Sequence, residues 1–300
     1  MSAAVPGASV TVAVATCGRT ADLDVCLRAV AAQTAAPARL LVVDQQPSEE
    51  ARAMASAAGA EYLEQARSGL SASRNLALRE TRTELLAVTD EDCAPDPEWV
   101  AAISRAAVRA PAPVAVTGPI LPLGERPEGG HALSLRDSLE PRDYSGRIVP
   151  WGVGSGGNFA ARVADLRDAG GWDERLGAGT RGMAAEDADL IYRLLLSGGI
   201  VRYEPAAVVR HAWSTPERRM QTRWSYGYGV GALGGIRLAR RDSFAWSMLK
   251  AYAVHHGRLL AGTLRRREGT LALGHWRALV SLAPGIAYGW RSERAARRRP

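Results

Sequence analysis

The 300-residue sequence is poor in cysteine, phenylalanine and lysine, with three, two and one residue of each. The cysteines, Cys17, Cys26 and Cys93, are odd in number, and no two have the spacing of a zinc knuckle or a redox pair. This usage argues against a disulfide scaffold and indicates a reducing, cytoplasmic compartment. The shortage of Phe and Lys beside many Arg, Ala and Gly reflects a biased genome composition, so we give it no functional weight.

Long apolar runs and a targeting signal are also lacking. The amino terminus has no basic start, which argues against a signal peptide. The longest uncharged stretches near the carboxyl end, 224–236 and 278–290, each contain 13 residues, whereas a membrane span needs ~20. Because 47% of the residues are hydrophobic, we expect a folded chain with one large core and, at most, a smaller appendage.

Charge is distributed unevenly along the chain. Residues 217–300 contain 16 Arg and one Lys against four acidic residues, so this segment has a net charge of +13, whereas the whole chain has a net charge of +7. The remainder therefore carries −6. A mildly acidic body with a basic tail results, and an anionic membrane and nucleic acid are both candidate partners for such a tail.

The first half alternates strand-like and helix-like segments. Strand patterns occur in VTVAVAT, RLLVVD, EYLEQ and ELLAVT, and helical spacing occurs over 23–30, from Ser48 to before Gly59, and over 71–80. This alternation predicts a parallel sheet covered by helices. Ligands bind at the carboxyl ends of such strands, where Thr16 to Arg19, Asp44 and the cluster Asp90 to Asp92 all lie.

The second half is less regular. Asp96 and Pro97 are expected to open a helix, and residues 119–150, rich in Pro, Gly and charge, to form a mobile connection. Further helices are expected over 163–169 and from Glu186, and IVRYEPAAVVRHAW is strand-like. From Thr215 onward the pattern predicts basic amphipathic helices that contain glycine.

The stretch TDEDC supplies the clearest candidate for chemistry. Asp90 and Asp92 lie two residues apart on a turn after a strand, so both can face one divalent cation, and carboxylate oxygens suit Mg²⁺ or Mn²⁺. Such a cation would also bind a diphosphate. The alternative is a solvated acidic turn before the next helix. Glu91 is expected to point elsewhere, and we assign it no role.

Two segments offer candidate ligand contacts. Asp44 can accept hydrogen bonds from a base or a ribose, although a lone aspartate at a strand end is as often a turn former. Gly69 allows close backbone approach, and Arg74 with Asn75 begins a helix where an arginine can pair with phosphate oxygens. The alternative for Arg74 is an ordinary position on a solvated helix face.

Two later positions could complete a site. Glu186 and Asp187 begin an amphipathic helix, from which one carboxylate can act as general base for a hydroxyl nucleophile, or merely stabilise the helix dipole. His211 can supply an imidazole ligand to Mn²⁺, although a lone histidine near an aromatic residue is more often structural.

Taken together, these segments resemble the family 2 glycosyltransferases with the GT-A fold. The resemblance covers roughly residues 9–213 and follows the order VAVATCGR, VVD, SGLSASRN, TDEDC, GGNFAAR, GWDE, EDADL and a late histidine. It implies an α/β fold in which a Rossmann-like, mostly parallel sheet is flanked by helices. The run QQPS after Asp44 departs from the Asn, Gly or Ser of many relatives.

The resemblance also implies a role for each matching residue. Thr16, Arg19 and Asp44 would hold the nucleotide of a nucleoside-diphosphate sugar, together with Gly69, Arg74 and Asn75. Asp90 and Asp92 would meet the ribose and the metal-bound diphosphate, with His211 as a further metal ligand. Asp187 would be the base, Glu186 would stand beside it, and Gly156, Gly157 and Asn158 would form a loop beside the sugar and acceptor. The implied reaction is an inverting, Mg²⁺- or Mn²⁺-dependent transfer to an acceptor hydroxyl.

These assignments divide the chain into a glycosyltransferase domain over 1–214 and a basic helical region over 215–300. Within the domain, the nucleotide-binding half covers about 9–118 and the acceptor half about 119–214. In the tail, Trp224, Tyr226, Tyr228, Trp246, Trp276 and Trp290 interleave with Arg, a composition suited to a lipid interface. We therefore hypothesise a lipid-linked acceptor and peripheral contact with the inner face of the cell membrane, against the simpler view of a solvated tail. No nucleic-acid partner is expected.

Two other functions compete with this interpretation. A nucleotidyltransferase that makes activated sugars would need a Gly-rich basic loop after its first strand, where TCGRTADLD has one Gly and one Arg. A non-enzymatic module that binds membrane or nucleic acid through its tail would leave the convergence of Asp44, Asp92 and Asp187 unexplained.

Overall fold

The computed structural model describes residues 7–298 and confirms an α/β architecture with a helical carboxyl-terminal region. The strands are β1 (Val10–Thr16), β2 (Arg39–Asp44), β3 (Glu61–Glu64), β4 (Leu85–Asp90), β5 (Cys93–Pro95), β6 (Ala115–Thr117), β7 (Ile120–Pro122), β8 (Arg142–Tyr144), β9 (Phe159–Arg162), β10 (Val201–Tyr203) and β11 (Val209–His211). The helices are α1 (Thr20–Ala31), α2 (Glu49–Ala57), α3 (Leu70–Glu80), α4 (Trp99–Val108), α5 (Val163–Asp168), α6 (Glu186–Leu196), α7 (Pro216–Ala239), α8 (Phe244–Arg265), α9 (Gly269–Val280) and α10 (Leu282–Ala296), with one 3-10 turn over Pro150–Gly152.

The main sheet contains eight strands in the order β3-β2-β1-β4-β9-β6-β10-β8. The first four strands are parallel to one another, and β9 is antiparallel to both of its neighbours. The register places Thr16 opposite Asp44 on one side of β1 and Ala15 opposite Asp90 on the other. The carboxyl ends of three strands therefore meet at one edge, as the alternating pattern predicts.

Two apolar layers cover the sheet because alternate residues of each strand face opposite sides. Val12 and Val14 pack in one layer with Trp99 of α4. Leu41 and Val88 pack in the other with residues of α3 and α6. These side chains are almost fully buried, and each stabilises the fold by roughly 1.5–3 kcal/mol. The strands are thereby fixed in register, which also fixes the residues at their ends.

A second, small sheet in the order β5-β11-β7 lies beyond the carboxyl end of β4. In its antiparallel pair, His211 is directly opposite Cys93. Residues 118 positions apart in the chain thus become cross-strand neighbours, and Asp92 stands next to this pair.

Three expectations from the sequence need correction. Helix α4 begins at Trp99 because Asp96 and Pro97 form a turn in which the Trp99 amide donates to the Asp96 carbonyl. Residues 119–150 contain β7 and β8 and are more than a connection. The run IVRYEPAAVVRHAW splits into two strands that join different sheets.

The two expected halves of the domain share one sheet, since β8, β9 and β10 pair into the same layer as β1 to β4 and β6.

Helices α7 to α10 pack against one another and against the sheet domain. Glycines on α7 and α10 let the two backbones approach closely: a Cβ added at Gly231 would lie 2.3 Å from the Leu282 carbonyl oxygen. Leu176 of the domain packs with Ile236 of α7, and Arg237 of α7 forms a buried ion pair with Asp189 of α6. Across residues 7–298, no helix is both long and apolar enough to cross a bilayer.

Candidate functional site

Arg19 is the first positive partner of the acidic cluster at the end of β4. Its guanidinium lies 3.1 Å from Glu91 Oε1 and 3.0 Å from Asp92 Oδ2, and 2.7 Å from Asp22. Helix α1 begins at the next residue, so the turn after β1 brings this cation over the cluster. The repulsion among adjacent carboxylates is thereby compensated within the protein.

Glu91 has a structural function that the sequence did not reveal. Its carboxylate accepts a hydrogen bond from the Cys17 amide at 3.0 Å as well as from Arg19. Burial raises the pKa of Glu91, although Thr16, Arg19 and the Cys17 amide oppose this effect. The Glu91 side chain therefore holds the β1–α1 turn. This turn contains Thr16 and Arg19, which are predicted to bind the nucleotide.

Asp92 and His211 form the candidate metal site. Asp92 Oδ1 lies 3.5 Å from His211 Nε2, and both residues are buried. His211 Nδ1 lies 2.8 Å from the Ala212 carbonyl, which can only accept, so the ring proton resides on Nδ1 and the Nε2 lone pair faces the carboxylate. Either a divalent cation or a second ring proton satisfies this arrangement. The carboxylate oxygen suits Mn²⁺ or Mg²⁺, and the imidazole nitrogen favours Mn²⁺, the softer of the two.

Cys93 is a third residue near this pair, since ligand atoms of Asp92, Cys93 and His211 lie within 4.8 Å of one another. Burial, followed by the charges of Asp90 and Asp92, raises the pKa of the Cys93 thiol well above its usual value. A protonated thiol is a poor ligand for a hard cation. The donor set that remains is therefore Asp92 and His211, which fits Mn²⁺ better than Mg²⁺.

Arg74 connects Asp90 with Glu186. The Arg74 side chain is only 3% exposed, and its guanidinium lies 2.8 Å from Asp90 Oδ1 and 3.0 Å from Glu186 Oε1. The solvated-face alternative for Arg74 is therefore wrong. The ion pair with Arg74 holds the Asp90 carboxylate toward α3. Asp92 and His211 therefore form the closer pair, and Asp90 lies beside it. A phosphate contact of Arg74 and a metal contact of Asp90 stay predictions.

Glu186 and Asp187 differ in environment although they are adjacent. Burial and then the charge of Asp187 raise the pKa of Glu186 to about 7, and Arg74 opposes this only in part. Asp187 is half-buried; its Oδ2 accepts from the Gly156 amide at 2.8 Å and its Oδ1 from the Ala188 amide at 2.7 Å. Asp187 thus keeps one fixed orientation and a solvent-accessible face.

The loop over 156–158 is packed against these carboxylates. A Cβ at Gly156 would lie 2.7 Å from the Arg74 guanidinium, so only glycine fits there without displacing it. The Asn158 side chain accepts from Trp99 Nε1 at 2.8 Å and donates to the carbonyls of Pro119 and Ala207. Gly157 lies between Gly156 and Asn158 in the chain. Asn158 therefore holds the loop through its side chain, with no free polar group on that side chain for a ligand.

The remaining predicted nucleotide-binding residues also have protein partners. Asp44 accepts from Tyr62 at 2.7 Å and from the Gln46 amide at 2.8 Å. The Gly69 amide donates to Gln45 at 2.8 Å, so the unusual QQPS run holds the loop before α3. Asn75 bonds the backbone of Trp172 in the GWDE segment. Their ligand contacts stay predictions, but all lie near the same edge of the sheet.

Helix α7 supplies two site residues that sequence reasoning missed. Arg218, in its first turn, lies 3.1 Å from Asp92 Oδ2. Arg218 and Arg19 therefore bind the same oxygen of Asp92 and leave its other oxygen toward His211. Tyr226, two turns further along α7, is 40% exposed, and desolvation of its phenol, followed by the charges of Asp187, Glu186 and Asp90, raises its pKa to about 12. The sequence indicated this helix through its arginines and aromatic residues, which were assigned to a lipid interface, and it did not indicate which arginine reaches the site.

The sequence matches a family model described as Glycosyl transferase family 2 over residues 11–168, more than half of the chain. Two curated relatives from strains of Mycobacterium tuberculosis, both described as pre-mycofactocin glycosyltransferase, are 29% identical over 254 residues. The match covers 73% of this chain and 52% of each relative, so the chain spans about half the length of the curated relatives it matches.

Solved structures of low sequence identity, one of them a mannosyltransferase, share the fold. A mannosyltransferase from Pyrobaculum calidifontis in complex with GDP-Man and Mn²⁺ superposes with a TM-score of 0.62 at 18% identity, covering 96% of this chain and 90% of that one. Residues 1–349 of S. aureus TarS superpose with a TM-score of 0.55 at 15% identity, covering 97% and 91%. These likenesses confirm the predicted GT-A fold and extend over the carboxyl-terminal helices.

Proposed function

Because the chain belongs to glycosyl transferase family 2, we propose that it transfers a sugar from a nucleoside-diphosphate sugar to an acceptor hydroxyl with inversion at the anomeric carbon. The observation that carries this proposal is the convergence of five acidic and imidazole side chains at one edge of the sheet. Asp44, Asp90 and Asp92 stand at strand ends, His211 is opposite Cys93, and Asp187 opens the helix that Arg74 ties to Asp90.

In the proposed reaction, Asp187 is the general base. Its carboxylate is held by two backbone amides and remains accessible, so it can accept the proton of an acceptor hydroxyl that attacks the anomeric carbon. Glu186 and Arg74 are positioning residues, since their mutual ion pair fixes the start of α6 relative to Asp90. The donor is already activated, so the protein contributes mainly orientation and electrostatic stabilisation.

Asp92 and His211 would hold the divalent cation, with Asp90 beside them. A bound Mg²⁺ or Mn²⁺ stabilises the negative charge that develops on a departing diphosphate. The bound Mn²⁺ of the Pyrobaculum calidifontis mannosyltransferase supports this assignment. Arg19 and Arg218 lie at the same carboxylate and add positive charge near the leaving group.

The test is a thermal-shift screen of nucleoside diphosphates and nucleotide sugars with and without Mn²⁺. Ligand present at 100 times its Kd stabilises the native state by about 2.7 kcal/mol, which is readily detected. We expect Mn²⁺-dependent stabilisation in the wild type and its loss in Asp92→Asn. Asp187→Asn should retain this binding and lose sugar transfer. Asp168→Asn, an exposed acidic position on α5, serves as the matched control and should behave as the wild type.

Two outcomes would refute the proposal. Absence of stabilisation by any nucleotide or nucleotide sugar would argue against a donor site. Release of pyrophosphate, in place of nucleoside diphosphate, would instead identify a nucleotidyltransferase.

We also keep the proposal that the acceptor is lipid-linked and that the tail contacts a membrane surface. Its support is the exposure of Trp246 (63%), Leu264 (60%) and Trp276 (52%) among arginines of α8 and α9. Cosedimentation with phosphatidylglycerol vesicles, compared with phosphatidylcholine vesicles, tests it. Equal recovery in the supernatant with both vesicle types would reject membrane contact.

A further inference from the structure

A cleft of about 450 Å³ lies between helix α7 and the segment 122–135. Arg219, Thr222, Arg223 and Tyr226 of α7 line one side, and their spacing places them on one face of the helix. The other side includes Arg126, and none of the described residues lining the cleft carries a carboxylate. Three guanidinium groups in one concave surface without an acidic neighbour attract an anion.

The partners of these arginines leave donor groups available. Arg219 contacts the His131 ring at 2.9 Å, and Arg126 donates one N–H to the Gly130 carbonyl. Arg223 has no ion-pair or hydrogen-bond partner among residues 7–298. The basic groups are therefore not neutralised within the protein, unlike Arg218, which is bound to Asp92 on a different face of the same helix.

The cleft is also partly apolar. Trp213 and Leu135 contribute to its lining, and Leu135 is 53% exposed. The Arg126 guanidinium lies 6.0 Å from the centre of the Trp213 ring, at the limit of a cation–π contact. A ligand that matches both features has an anionic group attached to an apolar or aromatic body.

One end of the cleft lies near the start of α6, which carries the proposed catalytic base. Tyr226 lines the cleft, and three residues later on α7 a Cβ at Gly229 would lie 2.7 Å from the carbonyl oxygen of Ala184, which is three residues before Asp187. Arg219 lies seven residues earlier on α7, about 10 Å along the helix axis. An acceptor whose hydroxyl lies at Asp187 can therefore extend along α7 and place an attached anionic group near Arg223 and Arg219.

From this geometry we infer that the cleft binds an acceptor carrying a phosphate or carboxylate, and that Arg219 and Arg223 recognise the anionic group. This inference rests on the proposed function, because it takes the hydroxyl near Asp187 as the one that reacts. Arg219 and Arg223 are specificity-determining residues for the acceptor, and donor binding is left to Arg218 and the residues around Asp92.

The experiment measures binding of phenyl phosphate by calorimetry, with the donor site first saturated with Mn²⁺ and the nucleoside diphosphate found in the thermal-shift screen. We expect binding of phenyl phosphate and no detectable binding of benzyl alcohol, its uncharged counterpart. Arg219→Gln with Arg223→Gln should weaken phenyl phosphate by about tenfold or more, since hydrogen bonds to charged groups are lost. The double lysine variant should recover most of the affinity. Arg258→Gln, on the exposed face of α8, is the matched control and should change nothing.

The source of the anionic group is resolved by a competition arm. Displacement of phenyl phosphate by phosphatidylglycerol vesicles, but not by phosphatidylcholine vesicles, would indicate a lipid-borne phosphate; displacement by inorganic phosphate alone would indicate a soluble acceptor. Both support the inference. Unchanged phenyl phosphate affinity in the double glutamine variant overturns it, as does loss of nucleoside-diphosphate binding in that variant, which would assign the arginines to the donor. If no nucleoside diphosphate or nucleotide sugar binds the wild type, that result alone rejects the proposed function. The titration is then run without a nucleotide, and arginine-dependent binding of phenyl phosphate would retain the anion site, whereas its absence would overturn the inference.

Discussion

The contact between α7 and α10 gives a quantitative prediction. A Cβ added at Gly235 would lie 2.2 Å from the Ile286 carbonyl oxygen and 2.8 Å from the Trp290 amide nitrogen, both backbone atoms. Gly235→Ala therefore forces the two helices apart. Overpacking costs up to about 3 kcal/mol, and the better helix propensity of alanine returns about 1 kcal/mol. We expect a net loss of about 2 kcal/mol in the free energy of unfolding.

Gly257→Ala on α8 is the matched control, because a Cβ there would meet nothing within 4 Å. It should gain up to about 1 kcal/mol from helix propensity alone. The two glycine-to-alanine changes should thus differ by about 3 kcal/mol, measured by urea denaturation followed by circular dichroism. Equal midpoints for the two variants would show that the helices separate without cost and would refute the close-packing argument.

Two further predictions concern buried polar groups. Arg74→Gln leaves Asp90 and Glu186 without their shared cation and should lower the free energy of unfolding, measured by urea denaturation, by about 3–5 kcal/mol. Arg79→Gln, at an exposed position on the same helix, is the control and should cost less than about 0.5 kcal/mol. Similar losses for both variants would contradict the buried bridge. His256 of α8 and His275 of α9 have ring nitrogens 3.1 Å apart, and burial lowers their pKa values to about 3 and about 4. The unfolded value is about 6.5. The stability that the neutral pair provides is therefore present above pH ~6.5 and is lost on acidification. Between pH 7 and 5.5 the wild type should lose about 1–3 kcal/mol relative to a His256→Gln/His275→Gln variant; parallel profiles would reject this assignment.

The sequence predicted the elements that depend on local pattern. Alternating valines identified β1, Ser48 was correctly expected to cap α2, and strand ends located Asp44 and the Asp90 to Asp92 cluster. The predicted helix start at Asp96 was two to three residues early, because a proline turn and a helix entrance share the same residue preferences. These features require only neighbours in sequence.

Long-range pairing accounts for what the sequence left undecided. His211 meets Asp92 only because β11 pairs with β5, and no local pattern specifies which short strands pair. Arg74 was expected to bind phosphate or solvent, yet its partners lie 16 and 112 residues away. The sequence predicted that the tail helices contain glycine, but not that Gly227 packs against α9 while Gly231 and Gly235 pack against α10.

The ion pair between Arg218 and Asp92 has a consequence for building chimeric enzymes from relatives. A hybrid joined near residue 215 would be designed as an exchange of acceptor preference alone. It would also replace Arg218, the cation that faces one oxygen of Asp92, and so would alter the electrostatics of the proposed donor site. The natural junction for such exchange is therefore after the first turn of α7, which keeps Arg218 with the sheet domain it serves.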